Sequence, residues 1–197
     1  MVSRSPKAFA FGEGVRRSLT DEVIANCSMF TYCLFCETQQ CAALAGRIPL
    51  TFPCRAIYPQ MEQLKWVKRQ PVRERHPLLP GYIFLYADQE LERTEDLFRL
   101  GGVLKRLGSR EDRWVLRGED EAFAMMLLEK DGVIGKTPVY QEGDIIHICD
   151  GAYKGLRTQI LRVDRRSKRM QIQIPFANLQ VTTWVEFELV DDDASPQ

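Results

Sequence analysis

The chain has 197 residues, room for one domain of moderate size or two small ones. Apolar residues make up 45% and charged residues 27%, enough for a core and for solubility. The formal net charge is zero, which excludes a whole-protein field drawing the molecule to nucleic acid or membrane, so any such attraction has to come from local patches.

Residues 1–28 are basic, and their apolar run, Ala8 to Phe11, is too short for the core of a signal peptide. They read as a loose N-terminal extension of a cytoplasmic protein, or as the product of a start codon placed too early. No run of 18 apolar residues occurs, so no membrane span is expected. FTYCLFCE, Phe30 to Glu37, is rich in aromatic and β-branched residues and predicts the first strand. Six cysteines sit at 27, 33, 36, 41, 54 and 149, and Cys33 with Cys36 forms a CxxC. Zinc, redox chemistry and buried reduced thiols are the readings. Side chains three apart on a strand point to opposite faces, and no second pair supplies the remaining ligands, so buried thiols fit best.

Thr38 is placed to cap a helix over residues 39–48, with Pro49 just past its end. Residues 54–58 predict a second strand. Residues 64–69 begin an extended piece that Gln70-Pro71 is expected to interrupt, since proline donates nothing to a ladder. Residues 81–87 form the next strand. Asp88 is placed to cap a helix that Gly101-Gly102 terminates, and residues 103–107 make a short strand. Residues 119–130 read as the best helix, with Ala122, Phe123, Met126 and Leu127 on one face and Gly132 behind it. This order predicts an α+β domain over 29–130, an antiparallel sheet with packed helices. Residues 131–141 lack periodicity and read as a linker. Residues 142–190 hold about five short strands, at 144–149, 158–163, 170–174, near 179–181, and 184–190, which suggests a small all-β barrel. Asp150-Gly151 and residues 164–168 are turn-like. Residues 191–197 read as a solvated acidic tail.

LLPGYIFLYA, residues 78–87, resembles the Pro-Gly-Tyr-hydrophobic strand of the N-terminal (NGN) domain of the NusG family of transcription elongation factors. GDIIHICDGAYKGL, residues 143–156, is similar to a KOW motif, with Gly-Asp, two β positions, Asp-Gly, two residues and Lys-Gly. The two occur in the family's order, and together the resemblance covers residues 30–190. It implies an NGN domain followed by an SH3-like KOW barrel. It implies no catalysis, cofactor or metal, and no Walker loop, paired carboxylates beside a His, or activated Ser or Cys is evident. The implied partners are the clamp helices of the largest RNA polymerase subunit for the NGN domain, and a termination factor, the ribosome or RNA for the KOW domain. These proteins usually act as monomers.

Residue by residue, Pro80 fixes φ and Gly81 allows close backbone approach or an unusual dihedral. Leu79, Pro80 and Tyr82 are expected to form an exposed apolar patch, and with Gly81 and Phe84 they match the family's polymerase contact. Tyr32 extends that patch or belongs to the core, and Phe84 carries the same alternative. Lys65, Lys68, Arg69, Arg73 and Arg75, with Trp66, form either a solvated hairpin face or a contact with upstream or nontemplate DNA, where Trp66 stacks on an unpaired base. Arg162, Arg165, Arg166, Lys168 and Arg169 make the densest basic patch, joined by Lys154 and Arg157. This patch predicts binding to the backbone of nascent RNA, a structured element such as a hairpin. Four phosphate contacts on a single strand predict a log–log salt slope of about −3. His147 is expected at the surface, with Ile146 and Ile148 facing the core.

Housekeeping members carry a Phe-Gly-Arg turn where this chain has Pro175-Phe176-Ala177-Asn178, and Thr158 replaces the usual Gly. These departures weigh against termination-factor binding and toward a specialised LoaP-like paralogue, a processive antiterminator. A general NusG-type elongation and termination factor, and a KOW-type RNA-binding protein without polymerase contact, are the alternatives. Refolding of the second domain to helices, as in RfaH, is not expected, because its isoleucines and valines favour strands.

Overall fold

A computed structural model describes residues 29–149, 151, 153–154 and 158–190, without the side chains of Leu64, Lys65 and Trp66. The expected N-terminal extension, the acidic tail, Asp150 and Arg157 lie outside the described residues.

Strand β1 (Phe30–Cys36) is followed by helix α1 (Cys41–Arg47), extended at both ends by single 3-10 turns at Thr38–Gln40 and Ile48–Leu50. Thr38 is not the cap. The preceding Glu37 is extended and makes no side-chain capping bond; its carbonyl instead accepts from the Gln40 N–H at 2.9 Å. Strand β2 (Arg55–Ile57) leads into a long hairpin, β3 (Gln60–Val67) and β4 (Gln70–Pro77), turned by Lys68 and Arg69. The expected break at Gln70-Pro71 does not occur. Pro71 sits in β4, an edge strand, where a missing N–H breaks no ladder. Strand β5 (Tyr82–Ala87) is followed by a 3-10 helix at Thr94–Leu100, which starts five residues later than an Asp88 cap requires.

Strand β6 (Val103–Leu107) precedes helix α2 (Glu119–Glu129). Three carboxylates, Glu119, Asp120 and Glu121, occupy its first turn, where the helix dipole favours anions. It buries Phe123, Ala124 and Leu127, while Ala122 faces solvent. Gly132 closes it: its N–H donates to the Leu127 carbonyl at 2.7 Å with φ of 72°, and a Cβ there would meet the Cγ2 of Ile57 at 2.3 Å. The expected linker is structured. Val133–Ile134 forms β7, parallel to β3, and Thr137–Glu142 forms β8. The chain continues with β9 (Ile145–Ile148), β10 (Gln159–Asp164), β11 (Arg169–Phe176) and β12 (Leu179–Leu189). β12 is one strand where the sequence suggests two pieces.

Three sheets result: β2-β5-β1-β6, fully antiparallel; β4-β3-β7; and β10-β11-β12-β8-β9, in which β12 and β8 are parallel. The four-stranded sheet is covered on both faces. On one, Tyr32, Leu34, Ile83 and Leu85 pack with Leu44 of α1 and Ile48 of the 3-10 turn that follows it. On the other, Cys33, Phe84 and Tyr86 pack with Phe123 and Leu127 of α2 and, in the same cluster, with Met170, Ile172, Ile174, Phe176 and Val185 of the five-stranded sheet. Cys33 and Cys36 thus enter different cores, as strand alternation requires. Phe84, Phe123 and Phe176 form a triangle of edge-to-face rings with centroids 5.4–5.8 Å apart. This closed triangle joins the five-stranded sheet to the four-stranded one.

Candidate interaction surfaces

The stretch 78–82 is where the chain passes from the hairpin into central strand β5. Leu79 turns inward and is buried, as is Leu78, whose carbonyl accepts the Thr183 hydroxyl of β12 at 2.6 Å. Gly81 has φ of 92°, and its carbonyl accepts the Cys36 N–H at 2.7 Å. A Cβ there would lie 3.0 Å from the Phe35 ring and 3.2 Å from the Cys36 carbonyl, so glycine is required for both dihedral and space. Tyr82 pairs with Phe35 across β1, ring centroids 5.3 Å apart. Phe35 is 36% exposed, Tyr82 is half-buried and Pro80 is exposed.

The exposed apolar patch therefore consists of Pro80, Tyr82 and Phe35. Leu79 is not part of it. Phe84 is sealed under Phe123 and Phe176. Tyr32 lies on the opposite face, opposite Leu85, with its hydroxyl accepting the Leu91 N–H at 2.9 Å. Phe35 went unnoticed because its partnership with Tyr82 depends on register between strands 47 residues apart. A signal existed: Tyr32 and Phe35 are three apart on one strand, so only one of them can share a face with Tyr82.

The hairpin cations fall into two groups. Lys68 and Arg69 form its tip, both exposed and both in the left-handed region. Arg73 and Arg75 are exposed on β4 beside Glu62, 3.1 and 3.8 Å from its carboxylate, so one acid partly neutralises both. Lys65 and Trp66 stand in β3 opposite Val72 and Pro71; their side chains lie outside the described residues.

Between β10 and β11 the chain turns through Arg165, Arg166, Ser167 and Lys168. Asp164 shapes the turn: its Oδ1 accepts the N–H of Arg166 at 3.0 Å and of Ser167 at 3.1 Å. Hydrogen bonds from Ser167, with those from Arg166 and its charge, hold the Asp164 carboxyl below its ordinary value. Arg162, Arg165, Arg166 and Lys168 are exposed, and Arg165 donates to the Asp144 carbonyl at 3.1 Å. Arg169 departs from the expectation of a free cation. It is half-buried, donates to the Gln63 Oε1 at 2.6 Å and lies 3.9 Å from Glu186, tying β11 to β3. Lys154 is exposed. His147 is half-buried and stacks on Tyr140 at 4.9 Å, while Ile146 is buried and Ile148 partly so.

No family model matches the sequence, and no curated protein matches it. Among solved structures, the chain is similar to NusG of Thermotoga maritima, in a structure described by its domain interaction. Identity is 11%, the TM-score 0.49, and the match covers 81% of this chain and 94% of that one. A likeness of this degree decides neither partner nor activity.

Proposed function

We propose that this chain is a transcription elongation factor of the NusG type. More specifically, it is a processive antiterminator whose first region docks on the largest RNA polymerase subunit and whose second region binds nascent RNA. The observation that carries the reading is a pairing of unlike surfaces on a neutral chain. An exposed aromatic edge, Pro80, Tyr82 and Phe35, opens the central strand of one sheet. A turn bearing Arg165, Arg166 and Lys168 closes two strands of another. Apolar edges of this kind suit protein contact, and exposed cations suit phosphates. The two motif resemblances stand in the same order along the chain, the first, 78–87, on Pro80 and Tyr82 and the second, 143–156, ahead of the basic turn. Arg73 and Arg75 serve the nontemplate DNA in this reading, reduced by Glu62.

The residues at 175–178 favour antitermination over the general factor. Phe176 is 2% exposed within the Phe84 triangle, so it offers no surface to a termination factor. The KOW-type RNA-binding protein without polymerase contact stays as the second reading, favoured by the burial of Tyr32, Leu79 and Phe84, three of the six residues expected to dock.

Transcription in vitro through an intrinsic terminator tests the proposal. Added protein raises readthrough, Tyr82→Ala with Phe35→Ala abolishes it together with polymerase capture, and neutralising Arg165, Arg166 and Lys168 abolishes it while capture persists. Failure to recover any polymerase subunit hands the case to the second reading.

A further inference from the structure

Between the β3–β4 hairpin and strands β11 and β12 lies a cleft of about 450 Å³. Its walls include Gln63, His76, Pro80, Arg169, Thr182 and Trp184. Trp184 is 41% exposed, on the outward face of β12, where its neighbours across the strands are polar: it pairs with Gln171, and Thr182 pairs with Gln173. The core makes no demand for a tryptophan at this place, since the inward positions Val181, Thr183, Val185 and Phe187 already close it. Arg169 stands at the cleft wall with its guanidinium fixed by Gln63 at 2.6 Å and Glu186 at 3.9 Å. A partly exposed flat π surface, in one cleft with a guanidinium tethered through its Nη2 and with hydroxyl and amide groups, matches the faces and edges of a nucleobase. Charge points the same way. Arg165, Arg166 and Lys168 run directly into Arg169, so phosphates beside the cleft meet cations. A proline-rich peptide would use the indole and leave those cations idle.

We infer that Trp184 is a stacking platform for an unpaired base of a single-stranded nucleic acid, the base entering the cleft while the backbone follows the Arg165–Lys168 turn. This inference rests on the reading that the turn binds a nucleic-acid backbone, and it adds a base-contacting residue that reading does not contain.

The test uses the full chain and short fluorescein-labelled oligo(U) and oligo(dT), read by anisotropy across a salt series. Trp184→Ala weakens binding by about tenfold, the scale of one lost base–aromatic stack. It leaves the salt slope unchanged, because stacking releases no counterion. Trp184→Phe recovers most of the affinity, which a purely structural role of the indole would not explain. Arg166→Gln with Lys168→Gln shifts the slope by about 1.4 toward zero. A thiouridine-containing oligomer crosslinks to the peptide that holds Trp184. Tighter binding of oligo(U) assigns the site to RNA, and tighter binding of oligo(dT) assigns it to DNA. Wild-type affinity in Trp184→Ala, with weakened binding in the turn variant, overturns the stacking platform and leaves the turn reading standing. Binding of neither oligomer by the wild type overturns both. Displacement of the oligomer by a proline-rich peptide, with no crosslink at Trp184, overturns the choice of occupant.

Discussion

Two hairpin turns in this molecule solve the same problem and end up in opposite surroundings. Lys68-Arg69 joins β3 to β4, and Ala177-Asn178 joins β11 to β12. Both reverse the chain in two residues, and both hold left-handed dihedrals, with φ of 50° and 66° in one and 49° and 62° in the other. That turn matches the strand twist and ordinarily takes Asn-Gly. Only Asn178 of the four is a residue that adopts it readily. At Ala177 the strain is offset by docking: its N–H donates to the Asp120 carboxylate at 3.0 Å, and Phe176 beside it is buried. At Lys68-Arg69 both residues face solvent, so the compensation is chemical rather than structural, two cations at the end of a long arm. Strain kept at an exposed tip points to use, and strain kept at a buried one points to assembly.

The comparison breaks hardest at Phe176. Phe176→Ala removes one ring of the Phe84–Phe123–Phe176 triangle and is expected to destabilise by about 3–5 kcal/mol. Urea unfolding reads the loss. A value near that of a surface site means the two sheets do not share a core. Gly81→Ala comes next, at roughly 1–3 kcal/mol, because its left-handed φ and the 3.0 Å approach of the Phe35 ring both oppose a methyl group. Its diagnostic feature is that it also disturbs the Tyr82–Phe35 edge, so the polymerase capture proposed above is expected to fall along with stability. Replacing Lys68 by Asn and Arg69 by Gly sharpens the contrast in the other direction. Stability is expected to rise by about 1 kcal/mol as the strain is relieved, while the nucleic-acid affinity proposed above is expected to fall. A gain in stability without any loss of affinity removes the tip from the binding surface.

What the sequence made legible follows from which forces are local. β1, β5, β6 and α2 announce themselves by composition and period, and Gly132 by its place behind the last helical turn. The basic turn is visible because five cations stand within eight residues, Arg162 to Arg169. What was hidden is set by neighbours distant in sequence. Pro71 reads as a break until β4 is known to be an edge. Missing periodicity made residues 131–141 look like a linker, yet Thr137–Glu142 is a strand held by β12 and β9, with Pro138 just ahead of the first residue paired to β9. Arg169 counted as one more free cation because its partner, Gln63, lies 106 residues away. The membership of the exposed apolar patch was hidden for the same reason: an aromatic's face on one strand says nothing of which neighbour shares it.

The smallest expected effect lies at the contact between the two regions. Asp120 is half-buried, and its carboxyl is raised above its ordinary value, first by desolvation, then by the charge of Glu119, against the Ala177 hydrogen bond that lowers it. A raised folded-state value means the folded protein binds the proton more tightly than the unfolded chain. The contribution is therefore fully present below the ordinary aspartate value and is lost as pH rises through the raised one. Asp120→Asn keeps an oxygen to accept the Ala177 N–H and removes the charge. It forfeits a few tenths of a kcal/mol of helix-dipole attraction at the start of α2, and it relieves both desolvation and repulsion by Glu119. Near neutral pH the variant is thus expected to match the wild type to within about 0.5 kcal/mol, while stability measured from the ordinary aspartate range upward loses its downward slope. A slope that survives in Asp120→Asn places the titrating group elsewhere. A large loss at neutral pH means the ionised carboxylate, and not merely an acceptor oxygen, holds the Ala177 turn in place.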